Sequence, residues 1–199
     1  LRHSIKYIET VYGVLPARVD FLKKMYGLPD KKVGLLLMGA EDEKLHRNDA
    51  TNIRREFRGN LRIDEDDFVL IFGGKIDKRK NLEIIIESLD LLNNKKIKLL
   101  LFGKPDEEMQ EYIKSIIHRG DVIYLGWLNS EEMYKYFHVA DVGVFPGTHS
   151  VIWEQLIGAG LPGIFKHWDG IDHIDRNGNV RFIYTNSAIE LSNIICELY

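Results

Sequence analysis

The first segment whose residue types indicate chemistry is a basic loop, Gly73–Asn81. Two glycines allow the backbone to approach a ligand closely, and four cations follow them within six residues, directly before an amphipathic stretch. The free amides and the dipole at a helix N-terminus attract anions, so this combination suits a diphosphate. The loop does not contain the P-loop pattern. An exposed basic turn without a ligand is an equally weighted alternative.

A second candidate segment is Pro146–Pro162, in which a turn at Gly147 precedes a helical pattern. Thr148 or Ser150 is suited to cap this helix. Glu154 would then lie one turn into the helix, where a carboxylate can accept two hydroxyl hydrogen bonds from a sugar ring. The alternative for Glu154 is an exposed residue that the helix dipole favours.

Trp127 and Leu128 follow a further strand candidate. An aromatic and an aliphatic side chain at a strand end can face a planar base. A tryptophan buried in the core is an equally weighted alternative.

Two histidines and three carboxylates lie within residues 167–175. Their spacing matches no common zinc pattern, so a metal site is the less favoured interpretation and no metal cofactor is expected. Cys196 lies between apolar residues of the last helical pattern, which favours a packed side chain.

Seven short apolar runs are strand candidates that alternate with amphipathic helical patterns. These runs are Val33–Met38, Phe68–Phe72, Ile97–Phe102, Val122–Leu125, Val142–Phe145, Gly163–Phe165 and Val180–Tyr184. From residue 68 onward the alternation predicts an α/β fold with a doubly wound parallel sheet. Ligands of such sheets bind outside the carboxyl ends of the strands, where both candidate loops would lie.

The first 65 residues are less regular. Pro16–Tyr26 has the pattern of a helix, and Val33–Met38 that of a buried strand. The stretch Glu41–Arg62 is highly charged and predicts a solvated helix and loop. Its arginines, Arg54, Arg55 and Arg58, are interpreted as plain surface rather than as a binding patch.

Composition excludes several classes of protein. The chain has 199 residues, 45% of them hydrophobic, and a net charge of −3, which argues against a nucleic-acid-binding protein. A single cysteine cannot form an internal disulfide. Neither a membrane span nor a signal peptide is indicated, so a cytoplasmic location is expected. The chain opens at Leu1 rather than at Met, which suggests a piece of a longer protein.

Taken in order, the motifs resemble the C-terminal domain of a GT-B-fold retaining glycosyltransferase of family 4, or glycosyl transferases group 1. The resemblance rests on Phe72-Gly-Gly-Lys75 through Lys80-Asn81, Leu100-Leu-Phe-Gly103, Tyr124-Leu-Gly126, Ala140-Asp-Val-Gly-Val-Phe-Pro146 and Glu154-Gln-Leu-Ile-Gly-Ala-Gly-Leu-Pro162. It implies a Rossmann-like domain that binds a nucleotide sugar over residues 66–199. Residues 1–65 are similar to the segment that joins the two GT-B domains and supplies the first strand and helix.

The resemblance also implies the donor-binding residues. These are Gly74, Lys75, Lys80, Gly103, Trp127, Leu128, Thr148, His149, Ser150, Val151 and Glu154. Lys75, Lys80 and Glu154 are the catalytic candidates, with the two lysines on the diphosphate and Glu154 on the ribose. Lys75 replaces an arginine of the family, which keeps the charge but loses bidentate geometry.

One departure from the family concerns the sugar-facing loop. The family has a glutamate eight residues before the one that Glu154 matches, and Pro146 occupies that position. The loop is shortened, so Thr148, His149 or Ser150 would have to replace the missing contacts.

The activity that the resemblance implies is transfer of a sugar from a nucleoside diphosphate sugar to an acceptor hydroxyl in glycan or polysaccharide biosynthesis, without a metal. The acceptor, a glycan or a lipid-linked sugar, would be bound mostly by an N-terminal domain, and the full-length protein could associate peripherally with the inner face of the membrane. One alternative is a catalytically inactive nucleotide-sugar-binding module. Another is a nucleotide-sensing domain unrelated to sugars, although no dinucleotide-binding glycine motif follows a predicted strand.

Overall fold

The computed structural model describes residues 3–45 and 49–199. Its strands are β1 (Val11–Gly13), β2 (Val33–Leu35), β3 (Phe68–Ile76), β4 (Ile97–Pro105), β5 (Val122–Gly126), β6 (Val142–Phe145), β7 (Gly163–Lys166) and β8 (Val180–Ile183). Its helices are α1 (Pro16–Tyr26), α2 (Asp42–Leu45), α3 (Ala50–Asn60), α4 (Leu82–Leu92), α5 (Gln110–Ile116), α6 (Ser130–Val139), α7 (Ile152–Gly158) and α8 (Ala188–Leu198).

Six of the strands form one parallel sheet in the order β5-β4-β3-β6-β7-β8. The predicted doubly wound α/β fold is therefore confirmed, because the strand order reverses between β3 and β6. The apolar residues of β3 and β4 are buried apart from the half-buried Phe68, as expected for strands covered on both faces. Packed helix pairs, α4 with α8 and α3 with α6, accompany this sheet.

The reversal of strand order leaves a crevice at the carboxyl ends of β3 and β6. The pairing of β3 with β6 covers only Leu70↔Val142 and Ile71↔Gly143. Strand β3 continues beside β4 for its whole length, up to Ile76↔Pro105. The ends of β3 and β4 thus extend beyond the paired part of β6, and a ligand can enter between them.

A buried ion-pair network fixes α3 to the sheet and corrects the interpretation of Arg54 and Arg58 as plain surface, whereas Arg55 is exposed as expected. Arg58 is 3% exposed, and its guanidinium donates to the carbonyl oxygens of Val139 at 3.1 Å and Asp67 at 3.0 Å. It also pairs with Asp141 at 2.8 Å, and Arg54 pairs with the same carboxylate at 2.6 Å. These two arginines therefore hold α3 in place, because a guanidinium can donate to several buried carbonyl oxygens at once.

The first 40 residues add a second sheet, and the segment between its strands packs against the main core through Leu15. Strands β1 and β2 pair in parallel to make a two-stranded sheet, and α1 connects them with the predicted bounds. The prediction of a buried strand over Val33–Met38 is wrong in extent and in burial. Strand β2 ends at Leu35, and Leu35, Leu36 and Leu37 are 48%, 60% and 40% exposed. An apolar run shows that a strand is possible, but it does not show what covers the strand.

The last helix corrects the prediction that Cys196 is packed. Helix α8 buries Leu191, Ser192 and Ile195, whereas Cys196 is exposed. One further residue rotates a side chain by about 100° around a helix, away from the buried stripe. None of the helices in the described part of the chain combines the length and the apolar character that a membrane crossing requires.

Candidate functional site

The predicted donor-binding residues lie after four adjacent strands of the sheet. Gly74 and Lys75 end β3, Gly103 lies near the end of β4, Trp127 follows β5, and residues 148–151 follow β6. Because β5, β4, β3 and β6 are neighbours, the structure brings these segments to one edge of the sheet. This edge contains the crevice between β3 and β6.

Two glycines bring β3 and β4 together at the crevice. Gly74 and Gly103 are paired in the sheet register, and both have positive φ, 104° and 114°. A Cβ on Gly103 would lie 1.8 Å from the carbonyl oxygen of Gly74, and one on Gly74 would lie 2.8 Å from Cδ1 of Ile152 at the start of α7. A side chain on Gly103 would overlap the Gly74 backbone, and one on Gly74 would press on Ile152, so both positive-φ positions require glycine.

The basic loop and the loop after β6 are joined by hydrogen bonds. The Thr148 amide donates to the Arg79 carbonyl at 3.0 Å, and the Asn81 side-chain amide donates to the Pro146 carbonyl at 2.9 Å. Lys80 Nζ donates to the carbonyls of Thr148 at 2.9 Å and His149 at 3.4 Å. The two candidate segments therefore form one connected surface.

The two candidate diphosphate lysines differ in their surroundings. Lys80 is partly buried, and this burial lowers the pKa of its ammonium group. Lys75 is exposed and has no ion pair or hydrogen bond within residues 3–45 and 49–199. The ammonium group of Lys80 donates two of its three N–H groups to the loop after β6 and keeps one for an anion. Lys75 keeps all three.

Glu154 is buried, so the alternative of an exposed surface glutamate is wrong. Its side chain is 6% exposed and lies in the first turn of α7. An ionised carboxylate only accepts, and its Oε1 accepts from His149 Nε2 at 2.7 Å and His173 Nε2 at 3.1 Å. Its Oε2 is buried and has no partner among the described residues. A buried carboxylate oxygen without a donor is suited to a hydroxyl from a ligand.

His173 is a residue of the site that the sequence analysis missed. It lies in the run 167–175, which was weighed only as a metal site. In the structure His173 contacts Glu154, whereas His167 lies 3.4 Å from Asp172. The sequence does contain a signal for it: His173, a possible hydrogen-bond donor, follows β7, and the carboxyl end of β7 lies at the same edge of the sheet.

The remaining candidates confirm or correct individual expectations. Trp127 is 71% exposed, which excludes the alternative of a core tryptophan, and Leu128 packs partly against the core. Helix α7 begins later than predicted, with Val151 at its N-cap. Thr148 does not cap it, and Ser150 Oγ accepts from the Ile152 amide at a long 3.5 Å.

Comparison with known proteins then identifies the family. Residues 53–189, more than half of the chain, match the family model described as glycosyl transferases group 1. The chain belongs to this family. The match includes the basic loop, both strand-end glycines and Glu154.

Two curated glycosyltransferases are similar to this chain over much of its length. An uncharacterized glycosyltransferase of Methanocaldococcus jannaschii is 22% identical over 88% of this chain and 48% of its own length. The lipopolysaccharide 1,2-N-acetylglucosaminetransferase of Salmonella typhimurium is 29% identical over 64% of this chain and 36% of its own length. The chain thus spans half or less of the curated relatives that it matches.

Solved structures of glycosyltransferases share the fold. The Anabaena protein HepE, solved with UDP and glucose, matches 98% of this chain and 54% of its own, with a TM-score of 0.78 and 18% identity. WaaG, a glycosyltransferase involved in lipopolysaccharide biosynthesis, matches 94% of this chain and 52% of its own, with a TM-score of 0.76 and 18% identity. The Rossmann-like GT-B character of this domain is thereby confirmed.

Proposed function

We propose that this chain is the donor-binding part of a retaining glycosyltransferase that uses a nucleoside diphosphate sugar. The observation that carries the proposal is Glu154, a buried carboxylate with an unpartnered oxygen beside a loop anchored by Lys80. Membership of the glycosyl transferases group 1 family supports the same assignment. The UDP and glucose bound to HepE support a nucleotide sugar as the donor.

Each part of the donor has a matching group at the sheet edge. Lys75 and Lys80 would bind the diphosphate, and Glu154 Oε2 would accept from the ribose. Gly74 and Gly103 would let the backbone approach the phosphates. The exposed indole of Trp127 would contact the base. Thr148, His149, Ser150 and Val151 would then face the sugar.

The chemistry breaks the bond between the anomeric carbon and the diphosphate oxygen, and the acceptor hydroxyl forms the new bond with retention. Negative charge develops on the departing diphosphate, where positioned cations and amides are most effective. The leaving phosphate oxygen would receive the acceptor proton. We expect no metal requirement. A glycan or lipid-linked acceptor would be bound in part by a region beyond this chain.

The direct test is calorimetric titration of this chain with UDP and with uridine. Each charge-assisted contact contributes about 1.5–3 kcal/mol, so Lys75→Ala and Lys80→Ala should each weaken UDP binding by about tenfold or more. Uridine binding should change little. Lys78→Ala is the matched control, because Lys78 lies in the same loop but pairs with Glu108. Equal losses for UDP and uridine would contradict the assignment of the lysines to the diphosphate.

A catalytically inactive nucleotide-sugar-binding module is the second candidate. It is supported by Pro146, the residue at the position where the resemblance to the family implies the first glutamate of the pair. Release of nucleoside diphosphate from nucleotide sugars by the full-length protein separates the candidates. Binding without release in the presence of acceptor would support the inactive module.

A further inference from the structure

A second cavity opens beside the candidate donor site. Its volume is about 550 Å³, and it lies between the loop after β6 and the start of α1. It shares Thr148 and His149 with the predicted donor residues, but Lys75, Trp127 and Glu154 do not line it. The cavity therefore adjoins the place where the transferred sugar would lie.

The charge of this cavity is one-sided although the chain as a whole is acidic. Arg18, Arg79 and Lys166 line it, and the lining found among the described residues contains no carboxylate. Arg79 is paired with Asp77 at 2.7 Å. Arg18 has no ion pair within the described part of the chain.

Lys166 adds a second cation that is not used by an ion pair. Its Nζ donates to the Tyr184 carbonyl at 2.9 Å, which leaves two N–H groups for a ligand, and its charge also acts on Glu190, whose pKa it helps to lower. An arginine and a lysine that line the same concavity, in a lining without carboxylates, are typical of sites for phosphate groups.

The same cavity has an apolar side. The half-buried ring of Trp168 lies 6.0 Å from the His149 ring, and the side chains of Val14 and Leu15 belong to the lining. An indole face and aliphatic carbons favour contact with the C–H groups of a sugar ring. Free inorganic phosphate would leave this side of the cavity unused.

We propose that this cavity binds a phosphate-bearing sugar, which serves as the acceptor of the transfer. Arg18 and Lys166 bind the phosphate, Trp168 contacts the sugar ring, and the ring's hydroxyl is directed toward Thr148 and His149. The acceptor role rests on the proposed donor function, because a ligand in this cavity can accept a sugar only if the adjoining site binds the donor.

The test is a titration of this chain, followed by NMR, with glucose 1-phosphate, glucose and inorganic phosphate. Glucose 1-phosphate should bind more tightly than either of the other two. Arg18→Ala and Lys166→Ala should each weaken its binding by about tenfold, since each removes a charge-assisted contact. Lys24→Ala is the matched control, because it removes an exposed cation of α1 that does not line the cavity. UDP binding, measured in parallel, should stay unchanged in all three variants.

A second arm determines the source of the phosphate-bearing sugar. Vesicles that carry a polyprenyl phosphate sugar are compared with vesicles that lack it. Binding to the loaded vesicles alone, lost in Arg18→Ala, would support a lipid-linked acceptor. Binding of soluble glucose 1-phosphate would support a free one.

Three results would overturn the proposal. The first is that a protein which binds UDP binds neither glucose 1-phosphate nor the vesicles loaded with the polyprenyl phosphate sugar. The second is that Arg18→Ala and Lys166→Ala bind these ligands as tightly as the parent protein does. The third is displacement of UDP by glucose 1-phosphate, which would place the sugar phosphate in the donor site. A parent protein that fails to bind UDP would instead refute the donor proposal.

Discussion

The assignment of Glu154 to the ribose of the donor makes a quantitative prediction. Glu154 Oε1 already accepts from His149 and His173, so Oε2 is the oxygen left for a ligand. Removing a ribose hydroxyl from the nucleotide would leave this buried oxygen without a donor. Hydrogen bonds to charged groups contribute about 1.5–3 kcal/mol. At about 1.4 kcal/mol for each tenfold, a 2′-deoxy or a 3′-deoxy nucleotide should bind about tenfold to a hundredfold more weakly.

The perturbation on the protein side is Glu154→Gln. Glutamine keeps the shape of the side chain but loses the charge, and its NH₂ group would face either the histidines or the ribose. The preference for UDP over 2′-deoxy-UDP should therefore shrink in this variant. Glu87→Gln is the matched control, because Glu87 is exposed on α4.

The assay is isothermal titration of both nucleotides against both proteins, which forms a double-mutant cycle. A coupling free energy of about 1 kcal/mol or more is expected between the hydroxyl and the carboxylate. A coupling near zero with a folded Glu154→Gln protein would refute the ribose assignment. The 3′-deoxy nucleotide then shows which hydroxyl Oε2 accepts from.

Three further outcomes are expected. Arg58→Ala should lower the free energy of unfolding, measured with urea, by about 3–5 kcal/mol, whereas the exposed Arg55→Ala should change it little; a loss equal to that of Arg55→Ala would contradict the buried network. UDP binding should weaken as pH rises through the lowered pKa of Lys80, and Lys80→Arg should shift that loss to higher pH, which titrations across alkaline pH would show. Cys196, being exposed, should react with a thiol reagent in the native protein, and protection until unfolding would contradict the fold of α8.

The sequence predicted the main sheet because its strands are buried on both faces. Continuous apolar runs such as Phe68–Phe72 have few other stable environments, and the helical patterns between them fix the parallel order. The carboxyl-edge rule then places Lys75, Lys80 and Trp127 at one edge without any knowledge of the contacts. The extent of 66–199 as one domain stays a prediction.

Contacts between distant segments were not predictable in the same way. The burial of Arg58 depends in part on the Val139 carbonyl at the end of α6, 81 residues away, and a charged stretch in isolation looks solvated. His173 meets Glu154 only through the path of the loop after β7, which no periodicity describes. Leu36, which directly follows β2, is exposed. Its exposure depends on which other segments cover this run, and the residues of the run do not show that.

The loop after β6 and the two histidines are connected features of one site. The loop is held to the basic loop through the contacts that Lys80 and Thr148 make with the opposite segment. This brings His149 back onto Glu154, where His173 joins it on the same oxygen. The carboxylate is then fixed by protein donors before any ligand arrives, which lowers the cost of ordering it on binding.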